Sequence, residues 1–309
     1  MSSEKALDLA GRQLTSVPDS IEQSVTLEEL DLDRNRLASL PEWIGQLTNL
    51  KFLSLYSNHL ASLPDSIRQL TNLRTLNLAE NRFSSFPEGI GNLSRLRMLD
   101  VGHNELKHLP ESLGNLSHLT FLYLSNNHLS FLPESFRNLT SLIYLNITDN
   151  ELVSLPELIG DLIHLIELRL YHNQLSFLPE ALGQLTKLRE LHLMNNHLTT
   201  LPASIGKMEG LRKLDLQDNK LTALPDSIGK LTNLTDLSLR NNQLTTLPEA
   251  MGDLKNLRYL DLRANRGLHL PASLGRLAKL EKLDLRWTKL SILPEWLEQL
   301  KQRGCVVFT

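Results

Sequence analysis

The stretch LPEWIGQLTNLKFLSLYSNHLAS, from Leu40 to Ser62, shows the pattern that organises the chain. It reduces to LPxxIGxLxxLxxLxLxxNxLxx, and the LxxLxLxxNxL part recurs twelve times, first at Leu27 and last at Leu280. The chain has 13 prolines, and successive prolines are 23 residues apart. A fixed period of this length predicts a solenoid in which each repeat packs against its neighbours in sequence.

Each repeat predicts one short strand and one short turn rather than a long helix. A proline every 23 residues would interrupt helices, and the alternating leucines of LxL have the two-residue period of a strand. Proline suits the first position of a helical turn, and the acidic residue that usually follows it favours the positive end of that turn. The glycine four residues after proline, such as Gly45, is expected to end the turn.

These features predict an α/β repeat solenoid with the shape of an arc. Its strands are expected to stack in parallel, about 4.8 Å apart, into a sheet on the concave face. Short helical turns should form the convex face. We expect one domain over residues 1–309, with 1–26 as a partial capping repeat, 27–294 as the repeats, and 295–309 as a C-terminal cap of helix and strand.

Two segments near the C-terminus depart from the repeat. PEWLEQLKQRG predicts a longer helix that stops at Gly304, followed by a strand over 305–309 in which Val306 and Phe308 face inward. Gly267 stands where the repeat has leucine, so we expect repeat eleven to be loosened locally.

The repeated phrase resembles the leucine-rich repeat, and the resemblance covers nearly the whole chain. It is similar to the 23-residue repeats of intracellular Ras-binding scaffold proteins and their plant relatives, and to bacterial cytoplasmic and effector repeats. The resemblance implies a noncatalytic platform whose concave face holds a partner protein, with a small GTPase-type protein as one candidate. It also implies that a column of asparagines is buried and bonded to the backbone: Asn35, Asn58, Asn81, Asn104, Asn127, Asn150, Asn173, Asn196, Asn219, Asn242 and Asn265.

The composition excludes several classes of protein. A chain with 41% hydrophobic residues is too apolar to be disordered, and one cysteine cannot form an internal disulfide. A formal net charge of -3 gives no general attraction to nucleic acid or anionic lipid. No stretch approaches the length of a membrane span. We therefore expect a cytoplasmic monomer without nucleic-acid or membrane partners; secretion as an effector into a host cell is the alternative.

Function is expected at the outward positions 3, 5, 7 and 8 of LxxLxLxxN, because packing determines the inward ones. All five tyrosines of the chain lie at these positions, and aromatic residues concentrate in repeats five to seven. Tyrosine favours strands, but it is also a frequent binding hot spot. The predicted partner-binding residues are Phe121, Tyr123, Tyr144, Asn146, Arg169, Tyr171 and His172, with Tyr56 and Tyr259 on other repeats.

Charged residues give the outward face a second feature. Its positions hold 13 acidic and 7 basic residues, so the face is more negative than the chain as a whole and unsuited to phosphate backbones. In the late repeats Asp261 precedes Arg263, and Asp284 precedes Arg286. We expect these to be solvated surface ion pairs, each contributing about 0–1 kcal/mol to stability.

Catalysis has little support in the sequence. The ten histidines are scattered, and the column of Asp149, His172, Asn195 and Asp218 is a weak metal candidate because an open face does not exclude water. We predict no catalytic residue, no metal and no cofactor. Two other functions stay open: a bacterial effector-type repeat protein that acts on a host protein, and a self-associating structural protein.

Overall fold

Each sequence repeat forms one three-residue strand and one short 3-10 turn. The computed structural model describes residues 5–290 and 293–309, which divide between two units, Met1–Glu151 and Leu152–Thr309. The first four residues of the predicted N-terminal cap, and residues 291 and 292, lie outside the described residues. The expectation of a single domain stays a prediction.

The strands of each unit are parallel and follow one another in chain order. The first unit contains β1 (Ala6–Asp8), β2 (Glu29–Asp31), β3 (Phe52–Ser54), β4 (Thr75–Asn77), β5 (Met98–Asp100), β6 (Phe121–Tyr123) and β7 (Tyr144–Asn146). The second contains β8 (Glu167–Arg169), β9 (Glu190–His192), β10 (Lys213–Asp215), β11 (Asp236–Ser238), β12 (Tyr259–Asp261), β13 (Lys282–Asp284) and β14 (Val306–Phe308).

The register of the strands aligns equivalent positions of adjacent repeats. Leu99 pairs with Leu122, and Leu122 pairs with Leu145, so the central leucines form a buried row. Leu145 has 0% exposure, as its inward position predicts. The side chains before and after each central leucine point to the opposite face, because successive residues of a strand alternate. The predicted parallel sheet of a leucine-rich repeat is therefore confirmed.

A 3-10 turn follows each proline from Pro18 to Pro271, and the prolines have φ near the value that their ring imposes, for example -69° at Pro87. This confirms the predicted short helical turns. In the first unit they span Asp19–Ile21, Glu42–Gln46, Asp65–Gln69, Glu88–Asn92, Glu111–Asn115 and Glu134–Asn138. In the second they span Glu157–Asp161, Glu180–Gln184, Ala203–Lys207, Asp226–Lys230, Glu249–Asp253 and Ala272–Arg276.

The expectation that glycine ends each turn is wrong. Gly91 lies inside the turn Glu88–Asn92 and is buried. A Cβ atom at this position would overlap the backbone oxygen of Ser112 and lie 2.7 Å from its Cβ. Glycine is therefore needed at this position because the turn of the next repeat approaches too closely for a side chain.

The asparagine column is buried, as the family resemblance implies. The Asn104 Nδ2 donates hydrogen bonds to the carbonyl oxygens of Leu78 at 3.1 Å and Val101 at 3.0 Å. Its Oδ1 accepts the backbone N–H of Phe83 at 3.0 Å. One amide thus joins two repeats and satisfies backbone groups that the turn leaves without partners.

The residue before each of these asparagines has a left-handed backbone, which the sequence pattern does not indicate. There φ ranges from 51° at Asn241 to 58° at Ala264, and it is 65° at Trp287, which stands before Thr288 at the equivalent position. Asparagine and aspartate tolerate this region better than most residues, whereas Ala264 and Trp287 are strained there. Position 8 of the repeat is therefore less free to vary than an ordinary surface position.

The C-terminal cap contains the expected helix α1, Trp296–Gln302, and Gly304 follows it with φ of 93°. The predicted facing of the last strand is wrong. Val307 pairs with the buried Leu283, while Val306 and Phe308 are 53% and 37% exposed. The register of this strand is shifted by one residue from the expected one, so the inward and outward positions are exchanged.

The Gly267 irregularity has a local explanation. Gly267 has φ of 77°, and the next residue, Leu268, is 3% exposed. The left-handed glycine turns the chain so that Leu268 fills the core position of the missing leucine.

Within the described residues, none of the helices is long and apolar enough to span a lipid bilayer.

Candidate functional site

Three aromatic residues occupy adjacent positions on two neighbouring strands of the first unit. Strand register aligns Phe121 with Tyr144, and Tyr123 with Asn146. The ring centroids of Tyr123 and Tyr144 lie 4.9 Å apart, with 38° between their planes. Phe121 is 40% exposed, and both tyrosines are half-buried. We call Phe121, Tyr123 and Tyr144 the aromatic cluster.

Asn146 stands beside this cluster as a fixed polar group. Its Oδ1 accepts the backbone N–H of Thr148 at 3.1 Å, which closes a short side-chain turn. The structure therefore brings together four of the predicted partner-binding residues, Phe121, Tyr123, Tyr144 and Asn146.

Three more predicted residues share one repeat of the second unit. The Tyr171 and His172 rings meet edge to face, with centroids 5.3 Å apart. His172 is exposed and has a φ of 54°. The Arg169 Nε donates to the Glu167 Oε1 at 2.5 Å. These side chains combine aromatic area with charge on a short stretch of chain.

Tyr56 and Tyr259 are placed apart from these groups, and their hydroxyls bind acidic side chains. The Tyr56 hydroxyl donates to the Glu80 Oε1 at 2.8 Å, and the Tyr259 hydroxyl donates to the Glu281 Oε2 at 3.0 Å. Each hydrogen bond raises the pKa of its tyrosine above the ordinary value. Both hydroxyls are therefore used within the scaffold, and the rings are the parts left to contact a partner.

The late Asp/Arg pairs form a network rather than separate surface pairs. The Arg263 Nε donates to both oxygens of Asp261, at 2.9 and 3.0 Å, and lies 3.5 Å from the Asp284 Oδ2. Arg286 binds Asp284 through Nε at 2.9 Å and Nη2 at 2.7 Å. The Asp284 side chain is only 2% exposed, so the expectation of a solvated pair is wrong for this residue.

This network lowers the pKa of Asp284. Burial would raise it, but the hydrogen bonds from Arg286 and the positive charges of Arg263 and Arg286 hold it below its ordinary value. Asp284 is therefore a buried carboxylate kept charged by two arginines. Removing it would leave the Arg286 guanidinium without its main partner, whereas Arg263 would keep its hydrogen bonds to Asp261.

A shallow hollow of about 220 Å³ lies on the sheet of the second unit, over β10 to β13. Lys213, Asp215, Asp236 and Tyr259 are among the residues that line it. Tyr259 therefore borders a charged hollow, in contrast to the apolar rings of the aromatic cluster.

In the metal candidate considered from the sequence, both carboxylate oxygens of Asp218 accept hydrogen bonds. Its Oδ1 accepts the Asn241 Nδ2 at 2.6 Å, and its Oδ2 accepts the Gln217 Nε2 at 2.6 Å. His172, in the same column, packs against Tyr171.

A different set of potential metal ligands, Glu167, Glu190 and His192, comes together on β8 and β9. Sequence reasoning missed this set. The sequence does contain a pattern that indicates it: ELRL at 167–170 is followed one repeat later by ELHL at 190–193. This spacing places the two glutamates at the same position of adjacent strands, with the histidine two residues after the second glutamate.

Family comparison agrees with the geometry. A model described as "Leucine-rich repeat region" matches residues 5–101 and 65–175. Other leucine-rich repeat models match 163–206, 209–266 and 279–300. A search of curated proteins finds no match.

Solved structures with the same fold include bacterial and plant proteins. A leucine-rich repeat protein of Leptospira interrogans is 33% identical, with a TM-score of 0.62, over 99% of this chain and 95% of that one. The plant peptide hormone receptor RGFR1, solved in complex with RGF2, is 31% identical, with a TM-score of 0.75, over 98% of this chain.

The ectodomain of the Arabidopsis thaliana receptor kinase GASSHO1/SCHENGEN3, solved in complex with CASPARIAN STRIP INTEGRITY FACTOR 2, is 32% identical, with a TM-score of 0.74, over 96% of this chain. The match spans 55% of the RGFR1 chain and 40% of the GASSHO1/SCHENGEN3 chain. With the family models covering most of its length and these identities, the chain belongs to the leucine-rich repeat family.

Proposed function

We propose that this protein is a noncatalytic binding scaffold that holds a partner protein or peptide on its sheet face. The observation that carries the proposal is the contact between Tyr123 and Tyr144 beside the exposed Phe121. Tyrosine and phenylalanine supply large contact areas with few rotatable bonds, so ordering them on binding costs little entropy.

The strands hold these rings in place before any partner arrives. Leu122 and Leu145, the central leucines of β6 and β7, are fully buried and fix the backbone from which the rings project. A prearranged apolar surface loses less free energy on binding than one that must be ordered. Asn146 supplies an adjacent amide that can pair with a polar group of the partner.

The similar plant receptors support a peptide or protein ligand, since RGFR1 and GASSHO1/SCHENGEN3 were each solved in complex with a named factor. The resemblance to Ras-binding scaffolds keeps a small GTPase-type protein among the candidates. The charged network at Asp261, Arg263 and Asp284 would act mainly on association rate and salt dependence.

A displayed peptide library, selected on the immobilised intact chain, tests the proposal. Enriched peptides should bind the wild type and lose binding to the triple variant Phe121→Ala, Tyr123→Ala, Tyr144→Ala. Phe131→Ala is the matched control, because Phe131 is 49% exposed, packs against His108 and lies outside the strands. Peptides that bind the triple variant as well as the wild type would contradict the proposed site.

A further inference from the structure

Glu167, Glu190 and His192 form a compact donor set in the second unit, which we call the Glu-Glu-His triad. Register pairs Glu167 with Glu190 across β8 and β9, and His192 lies two residues beyond Glu190. One donor atom from each residue lies within 4.8 Å of the other two. Over the ranges 5–290 and 293–309, this is the only group of three or more His, Cys, Asp or Glu donors that converge in this way.

His192 is the fixed member of the triad. The residue is 6% exposed, although it occupies an outward strand position. Its Nε2 lies 3.1 Å from the Glu190 Oε2 and 4.0 Å from the Glu167 Oε1, so the buried ring is aimed between the two carboxylates. A side chain locked by packing presents its donor atom at a low cost in conformational entropy.

The chemistry of these donors suits one class of ligand. Imidazole nitrogen and carboxylate oxygen are both donor types that Zn²⁺ and related first-row divalent ions bind, and three protein donors leave a further coordination position for water. We propose that the Glu-Glu-His triad binds a divalent transition-metal ion, for which Zn²⁺ is the probe. The remaining position faces the sheet surface, where a donor atom from a partner could replace water.

Arg169 allows a test in which the metal-site proposal predicts the direction of the change in metal affinity. Its Nε donates to the Glu167 Oε1 at 2.5 Å, so a guanidinium cation already neutralises one carboxylate of the triad. A metal ion must share or displace this contact. Removing the arginine charge should therefore strengthen metal binding, whereas a purely structural role for these residues predicts no such gain.

The proposal departs from the sequence-based expectation of no metal, and it is independent of protein binding because the test uses only the ion and the chain. Zn²⁺ is titrated into the untagged full chain by calorimetry, and Co²⁺ is followed by its visible absorption. We expect one equivalent of Zn²⁺ to bind. His192→Ala and Glu190→Gln should each weaken binding by roughly tenfold or more. Arg169→Gln should bind more tightly than the wild type.

Two controls come from exposed positions of the same unit, His197→Ala and Glu209→Gln, and both should bind like the wild type. If His192→Ala fails to fold, Glu190→Gln decides the question because Glu190 is partly exposed. Absence of Zn²⁺ binding, binding that persists in Glu190→Gln, or weaker binding by Arg169→Gln would each overturn the assignment.

Discussion

The Glu111 Oε2 accepts a hydrogen bond from the backbone N–H of Ser135 at 3.0 Å, so the carboxylate that opens one 3-10 turn also satisfies the start of the next. The same contact joins Glu88 to Ser112 and Glu180 to Ser204. Proline cannot provide a side-chain cap, and the preceding repeat supplies the missing acceptor.

This contact predicts a pH dependence. Hydrogen bonds from Ser135 lower the pKa of Glu111, so its contribution to stability is present above the ordinary glutamate pKa and is lost as pH falls through the lowered value. Glu111→Gln should therefore unfold at lower urea concentration than the wild type at neutral pH, with a smaller difference in acid. Glu105→Gln, at an exposed position of the same repeat, is the control. An equal difference at both pH values would contradict the prediction.

The close approach of adjacent turns predicts that two glycines of one turn respond differently to alanine. Gly91→Ala should lower the free energy of unfolding by about 1–3 kcal/mol, because the added methyl overlaps Ser112. At Gly89 the nearest atom to an added Cβ is the Arg68 Cβ at 3.2 Å, which is a much milder contact than the overlap at Gly91, so Gly89→Ala should change stability less. Denaturant unfolding measures both. Equal losses would mean that backbone freedom, rather than contact between turns, explains the glycines.

The left-handed position predicts a stabilising substitution. Ala264→Gly should raise the free energy of unfolding by up to about 1 kcal/mol, since glycine accepts φ of 58° without a clash. Ala272→Gly, in a 3-10 turn of the same unit, should instead lower it. Thermal melts of the two variants provide the check, and a loss of stability in Ala264→Gly would contradict the assigned strain.

The buried leucine row predicts a large cost for one truncation. Leu145→Ala should lower the free energy of unfolding by about 2–5 kcal/mol, because the side chain is fully enclosed. Ile143→Ala, two residues earlier and 40% exposed, should cost far less. Urea titrations of the two variants separate the effects. If Leu145→Ala were as mild as Ile143→Ala, the inward assignment would be wrong.

The sequence predicts the fold well because its period is repeated. The inward leucine column follows from the spacing, and the buried asparagine column is implied by the family resemblance; the structure confirms both, as Leu145 and Asn104 show. Features that depend on distances between neighbouring repeats in the folded chain were missed. The role of Gly91 depends on the distance to the turn of the next repeat. The register of the last strand depends on the path that the chain takes from the end of α1 to the strand.

The candidate site was predictable to a lesser degree. Adjacent repeats place Tyr123 and Tyr144 on neighbouring strands, and their ring contact follows from that spacing. The burial of Asp284 and His192 could not be predicted, because both occupy nominally outward positions and are covered by neighbouring side chains. Spacing fixes which face a residue occupies, whereas burial on that face depends on which side chains surround it.

The central claim is tested most directly by the affinity of a selected peptide for Tyr144→Ala, measured by calorimetry beside the wild type and Phe131→Ala. We expect Tyr144→Ala to lose about 2 kcal/mol or more of binding free energy, while Phe131→Ala binds normally. Normal binding by Tyr144→Ala, together with loss of binding in Arg263→Ala, would contradict the account and place the site on the charged late repeats.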